Sequence, residues 1–419
     1  ALPISKPIMR EKPIVILVGT FDTKPGIFDE LYQSLESEKW EIVGVNTGTF
    51  GSKVNFDVQF EAEEVAQVGG KSLTQLLTDK SRTQSIETMG KGSRIICENL
   101  VQNKQVVGVI SAGGGGGTFM AMQAMQSIPY GIPKVCISTL AARDLSAQMG
   151  AKDIVLVPSI VDVSNLNSLI KPILNRSARM LEAMIDDYLK EKEAEEKTHK
   201  VAISMFGNTT PCVENCLKLL EQKGIEVFTF HATGVGGRTM ESLITEGLFD
   251  GVLDITTTEL ADLLCGGVLD AGPERLDAAL ETGIPQVIVP GCLDMVNFTY
   301  RDQVPGQYRE RNLYQWSPDV TLMRTNVDEN KRLGQWIMQK LNKTRRPLYL
   351  LIPLKGISEI DRERSSFYDR EANQALFEAL KNNIETDLIE YIEVDHHIND
   401  PEFAEKVVTC YFRLVQTIR

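Results

Sequence analysis

The stretch Val106–Met125 reads VVGVISAGGGGGTFMAMQAM. Val106, Val107, Val109 and Ile110 make the apolar run of a fully buried strand. Five glycines follow: Gly113, Gly114, Gly115, Gly116 and Gly117. Thr118 is then placed to cap a helix through Phe119, Met120 and Met122. A strand, a glycine loop and a helix N-terminus in succession form an anion site. Without Cβ atoms the backbone comes close to a phosphate, and free N–H groups and the helix dipole point at it. A tight structural turn is the plainer alternative. The loop is not a P-loop, because no Gly-Lys-Ser/Thr follows, and it does not fit the dinucleotide fingerprint. No charge interrupts Val106 to Pro133, but five consecutive glycines would leave backbone groups unpaired in lipid, so no membrane span is read here.

The chain has 419 residues, 42% of them hydrophobic. That length suggests two or three domains with substantial cores, not disorder. The net charge of −13 argues against a nucleic-acid or anionic-membrane surface and leaves room for a local basic pocket. Seven dispersed cysteines, an odd number with no CxxC spacing, fit free thiols in a reducing, cytoplasmic compartment. Ala1 to Pro13 has no apolar core and already carries charges, unlike a signal peptide. The missing initiator Met suggests a trimmed or engineered start.

Taken in order, PIVILVG (13–19) is a strand that ends in the polar loop Thr20-Phe21-Asp22-Thr23-Lys24. Helix 28–37, strand 40–45 with the end Asn46-Thr47-Gly48, and a mostly helical segment 61–103 follow. After the glycine loop come strands 135–138 and 154–157 and a helix 178–190. That helix runs into KEKEAEEKTHK (190–200), a solvated helix end and linker. From Lys200 the pattern restarts. WEIVGVNTGTFG (40–51) parallels IEVFTFHATGVGG (225–237), VVGVISAGG (106–114) parallels DGVLDITTT (250–258), and VCIST (135–139) parallels VIVPG (287–291). Further strands at 348–352 and 389–394, an amphipathic helix from Glu371 and a helix started by Pro401 complete the second half. The expectation is an α/β protein of two Rossmann-like parallel-sheet domains with related topology, residues 1–195 and 196–419.

In parallel sheets, ligands sit beyond the carboxyl ends of the strands. In the first half this singles out Thr20, Asp22, Thr23, Lys24, Gly113 to Gly117, Thr118, Ser138 and Thr139 as cofactor contacts. Lysine and loop amides suit phosphate oxygens. Asp22 and the hydroxyls could hold magnesium, or Asp22 could simply cap the next helix. In the second half the candidates for a small polar ligand are Asn208, Thr209, His231, Gly234, Gly236, Gly237, Arg238, Thr256, Thr257, Thr258, Glu259, Asp294 and Asn297. Gly234-Val235-Gly236-Gly237 before a helix is a second anion cradle, with Arg238 as its fixed positive charge. His231 could be a general base or a structural histidine. Cys292 has no obvious paired base. Asp395-His396-His397 offers metal-ligand types, but adjacent histidines in a strand point to opposite faces, so no zinc site is read there. The density of polar groups at strand ends also allows a metabolic enzyme with its substrate held between the halves, of unread reaction class.

Several motifs carry a family resemblance: GTFDTK (19–24), GGGGGT (113–118), PSIVDV (158–163), FGNTTPCV (206–213), FHATGVGGRTME (230–241), GVLDITTTELAD (251–262), DMVNF (294–298), MRTNVDENK (323–331) and HINDPEFA (397–404). Together they resemble the ATP-binding domain family typified by the N-terminal domain of the tomato mosaic virus resistance protein, over nearly the whole chain. One departure is that the family commonly has a serine among the glycines, where this chain has five glycines. The resemblance implies two Rossmann-like halves, ATP binding by the first, and homodimers; magnesium is expected with the nucleotide from Asp22 and the hydroxyls. For the plant protein it implies inhibition of a viral replication protein through its helicase part. A nucleotide-dependent interaction protein is therefore the alternative to an ATP-dependent enzyme.

Overall fold

A computed structural model describes residues 12–194 and 198–418. Most of the 1–13 stretch and the centre of the 190–200 charge run lie outside the described residues. The chain divides into two units, Ala1–Glu196 and Lys197–Arg419.

Unit 1 is built on five parallel strands: β1 (Ile14–Gly19), β2 (Glu41–Asn46), β3 (Val106–Gly113), β4 (Lys134–Ser138) and β5 (Ile154–Pro158). Their order is β2-β1-β3-β4-β5. Every residue of β1, β3 and β4 is buried, whereas the edge strands β2 and β5 are partly exposed. This is why the central strands read as unbroken apolar runs: helices cover both faces. Alternation within β1 shows the two faces. Ile14, Ile16 and Val18 pack with Val65, Met89, Met120 and Met125, while Val15 and Leu17 pack with Phe28, Leu31, Leu174 and Leu181.

The segment expected to be mostly helical is three helices, Ala62–Gly69, Leu73–Asp79 and Arg82–Asn103. Left-handed residues Gly70 and Lys80 break it. The helix after β3 starts earlier than expected. It runs Gly115–Gln126 with Gly114 as N-cap, so Thr118 is not the cap. The reason is packing. A Cβ on Gly113 would lie 2.8 Å from the Gly117 carbonyl carbon, so the glycines let the first turn lie against the end of β3. That contact overrides their poor helix propensity.

Unit 2 contains β6 (Lys200–Met205), β7 (Glu226–His231), β8 (Gly251–Thr256), β9 (Gln286–Gly291), β10 (Met295–Phe298), β11 (Leu313–Ser317), β12 (Val320–Arg324), β13 (Leu348–Pro353) and β14 (Ile389–Val394). Six of them form a parallel sheet ordered β14-β13-β9-β8-β6-β7. Read from the β7 end, the first five positions repeat the order of unit 1, and β14 is added outside. The sequence parallels thus correspond to a shared strand order. The second, three-stranded sheet, β10-β12-β11, is antiparallel. It was not legible in the sequence, because strands of four or five residues are too short to show a period. The C-terminal helix runs Pro401–Ile418, as expected.

Candidate functional site

The chain reverses direction across the sheet between β1 and β3, so the loops that leave these strands diverge and open a crevice at their carboxyl ends. A cleft of about 230 Å³ lies there. Thr20, Asp22, Thr23, Lys24 and Gly114 to Gly117 all line it, together with the loop after β2 and the first turns of helix Arg82–Asn103. Gly113, Thr118, Ser138 and Thr139 do not line the cleft. They brace the loop from behind: Thr118 Oγ1 lies 2.6 Å from Ser138 Oγ, and Thr139 N–H donates to the Gly113 carbonyl.

The groups facing the cleft favour an anion. Gly115, Gly116 and Gly117 form a first helical turn, whose N–H groups have no intrahelical acceptor. A Cβ on Gly115 would meet nothing within 4 Å, so open space stands in front of the loop. Among the described residues, neither Lys24 nor Arg82 has an ion-pair partner, and both line the cleft. Sequence reading missed Thr49, Phe50 and Arg82. Thr49 and Phe50 follow the Asn46-Thr47-Gly48 strand end, which was the available signal.

Asp22 is buried, and its carboxylate is a latch. Oδ1 accepts from Thr23 N–H at 2.6 Å, while Oδ2 accepts from Thr49 N–H at 2.9 Å and Phe50 N–H at 3.0 Å. The carboxylate ties the loop after β1 to the loop after β2. Gly48 is required there, because a Cβ would lie 2.2 Å from Asp22 Oδ1. As a magnesium ligand Asp22 has little left to offer, since three of its roughly four acceptor positions are used. Among the described residues, no group of three His, Cys, Asp or Glu could hold a metal.

In unit 2 the predicted cradle is occupied from within. Glu259 Oε1 accepts from Gly234 N–H at 2.7 Å and Gly237 N–H at 3.1 Å. A Cβ on Gly237 would meet Oε2 at 2.2 Å. The carboxylate thus sits against the turn where an external anion was expected. Its counter-charge is Arg275, not Arg238. Arg275 Nε reaches Glu259 Oε2 at 2.7 Å, and its two terminal nitrogens grip Asp254 at 2.5 and 2.6 Å. Glu241 adds a third carboxylate at 3.0 Å. Arg238 is exposed and donates to the Asp270 carbonyl. His231 is exposed beside Phe206.

Thr256, Thr257 and Thr258 are fully buried and bonded to protein groups, with Thr256 on Thr209 and Thr258 on Asn297. Asn297 also binds Asp262. Burial pushes the Asp262 carboxyl up to about 7, against the hydrogen bonds from Asn297 and Leu269. Burial likewise raises Glu241. A second acid pair lies at the ends of β9 and β13. Asp294 accepts from Ser358 Oγ at 2.6 Å. Asp361 accepts from Ile357 N–H and Asn373 Nδ2. Burial, then repulsion from Asp294, lifts Asp361 to about 7, and burial raises Asp294. Asn208 packs its amide on Met295, and its Oδ1, like Oδ1 of both acids, has no hydrogen-bond partner, while Arg324 Nη2 lies 4.0 Å from Asp361 Oδ1. The structure therefore gathers most of the unit 2 candidates into buried networks and leaves Arg238 and His231 exposed. Arg275, Glu241, Asp254 and Asp361 escaped sequence reading because isolated charged residues carry no local signature.

Two family models divide the chain. The N-terminal domain of the uncharacterised protein family UPF0261 matches residues 13–190, and its C-terminal domain matches residues 198–415. The chain belongs to UPF0261. A UPF0261 protein of Clostridium tetani is 43% identical over 390 residues, covering 93% of this chain and 96% of its own length. A UPF0261 protein of Rhizobium meliloti is 41% identical over 400 residues, covering 95% and 98%. The ToMV resistance protein Tm-1(GCR237) of Solanum lycopersicum is 35% identical over 424 residues, covering 96% of this chain but 56% of the tomato protein. The ToMV susceptible protein tm-1(GCR26) matches almost equally, at 36%, so the likeness does not transfer resistance to UPF0261 members at large. Among the described residues, no helix is long and apolar enough to cross a membrane.

Proposed function

We propose that the protein binds a nucleotide, ATP, with its phosphates on the glycine loop of unit 1. One observation carries this reading. In a chain of net charge −13, two cations without acidic partners, Lys24 and Arg82, share a cleft with three helix-start N–H groups and open space before Gly115. Phosphate oxygens are suited to each of these groups. Magnesium enters the proposal on the nucleotide's own phosphates. The group this chain could add is Thr20 Oγ1, buried without a partner. A homodimer in the cytoplasm completes the proposal, the dimer from family likeness and the compartment from seven buried free thiols. A small polar ligand in unit 2 has less support, because Glu259 fills its expected cradle and Thr256, Thr257 and Thr258 are bonded to protein groups.

Gly115→Asp tests the reading. The new side chain enters open space, so the melting temperature should stay the same. A carboxylate beside the phosphates should weaken ATP by more than about tenfold, even at solvent-like screening. Calorimetry on both proteins decides. Equal affinities, or no heat from the unmodified protein at millimolar ATP, would sink the proposal.

A further inference from the structure

The loop after β2 has an unusual composition of free and engaged groups. Phe50 is 70% exposed at the rim of the cleft. Its backbone is nonetheless held firmly, since Asp22 Oδ2 accepts the N–H groups of both Thr49 and Phe50. Thr47 N–H donates to the Gly19 carbonyl and Gly48 N–H to Asn46 Oδ1. Lys53 N–H closes the loop on the Phe21 carbonyl. A large apolar ring is thus presented to solvent on a rigid support, beside a cleft with an anion-binding floor. Fixing the support costs backbone entropy, and nothing in the packing of unit 1 uses the ring.

We propose that Phe50 is the platform on which a nucleobase stacks, that Asp22 is the positioning residue holding it, and that the site does not discriminate between purine bases. The inference rests on the nucleotide reading given above. Stacking fits the arrangement: Phe50 and the glycine loop line one cleft, so a flat ring carrying a phosphate chain finds a partner for each end. Permissiveness follows from what is missing around the ring. Direct discrimination of adenine from guanine needs donors and acceptors aimed at the base edge. The lining of the cleft contains no Asn, Gln, Glu or His side chain; its Thr and Ser hydroxyls donate or accept and so suit either purine, and Lys24 and Arg82 are assigned above to the phosphates. Asp22 is spent on three N–H groups. All four N–H groups of Thr47 to Phe50 are spent as well. Carbonyl oxygens remain on this loop, and the exocyclic amine of either purine can meet those.

The test uses the full chain and four titrants: ATP, GTP, ribose 5-phosphate and inorganic tripolyphosphate, with and without EDTA. ATP and GTP should bind within about threefold of each other. Phe50→Ala should weaken both by roughly 5- to 150-fold, the range of base–aromatic stacking, and leave tripolyphosphate unchanged. Phe50→Trp should restore purine binding. Asp22→Asn should weaken ATP by the same factor with EDTA as with magnesium, because the residue acts on the loop and not on a metal. ATP preferred over GTP by more than about 30-fold would overturn permissiveness. Equal losses of ATP and tripolyphosphate in Phe50→Ala, or no loss of either, would overturn the platform. Failure of both ATP and tripolyphosphate to bind the unmodified protein would overturn the glycine-loop reading itself. Phe50 is exposed, so its variants should fold normally, and unchanged melting temperatures confirm that.

Discussion

Arg275→Met is expected to destabilise unit 2 by about 3–5 kcal/mol, the usual cost of removing one partner from a buried ionic group. Arg275 is 1% exposed and bonds three carboxylates at once, those of Asp254, Glu259 and Glu241, as well as the Thr256 carbonyl. Methionine fills most of the volume but supplies no donor. Buried Asp254 and Glu259 and half-buried Glu241 would then face each other unneutralised, and Glu259 Oε2 would lose its partner while Oε1 keeps the Gly234–Gly237 turn. Arg275→Lys should cost less, because it keeps the charge, but it loses the planar fork that grips Asp254 through two nitrogens. Urea midpoints for the three proteins measure the effect. A midpoint for Arg275→Met within error of the parent would show that the cluster is neutral in energy, its charge attraction offset by the desolvation of buried groups.

Stability should also rise as the pH falls from about 8 to about 5.5. Asp262 and Asp361 are both lifted to about 7 in the folded chain from the ordinary value of 3.8, with burial as the leading cause. A folded pKa above the unfolded one means that the folded state binds more protons between those values. Stability falls with rising pH wherever that holds. The contribution of each group is therefore complete below about pH 4, is lost as the pH climbs through 7, and changes no further above that. Each shift, from 3.8 to about 7, corresponds to an effect on the order of 4 kcal/mol. Acid-induced loss of other native ion pairs works against the trend at the low end.

Asp361→Asn isolates one contributor. The amide oxygen can still accept from Ile357 N–H and Asn373 Nδ2, and the amide nitrogen takes the place of an oxygen that has no hydrogen-bond partner and only a long ion-pair contact, 4.0 Å, with Arg324. The variant should match the parent near pH 5 and exceed it at pH 8, with a flatter profile between. Chemical denaturation at several pH values gives the comparison. A variant with the parental slope would show that Asp361 does not titrate in this range.

The amino-acid sequence alone determined the two parallel sheets. Unbroken apolar runs such as IVILVG and VVGVIS can only be strands covered on both faces, and helical periods lie between them. It also located the glycine-loop cleft, because each polar segment that ends such a strand must lie at its carboxyl end. Thr20, Asp22, Thr23, Lys24 and Gly114–Gly117 were found in this way. Other features were decided only by the tertiary structure. Phe50 is one phenylalanine among 15 in the sequence, and nothing local marks it as exposed. Asp22 became a latch once β2 placed Thr49 and Phe50 beside it. Glu259 read in sequence as a ligand contact or, more simply, a helix start, and it does lie in the first turn of helix Thr258–Cys265; only the fold brought it to the amide of Gly237, 22 positions earlier in the chain, with Arg275 alongside. Periodicity encodes which face of an element is buried, since that is a property of neighbours in sequence. Which carboxylate fills which turn depends on strand order, and strand order exists only after the chain has folded.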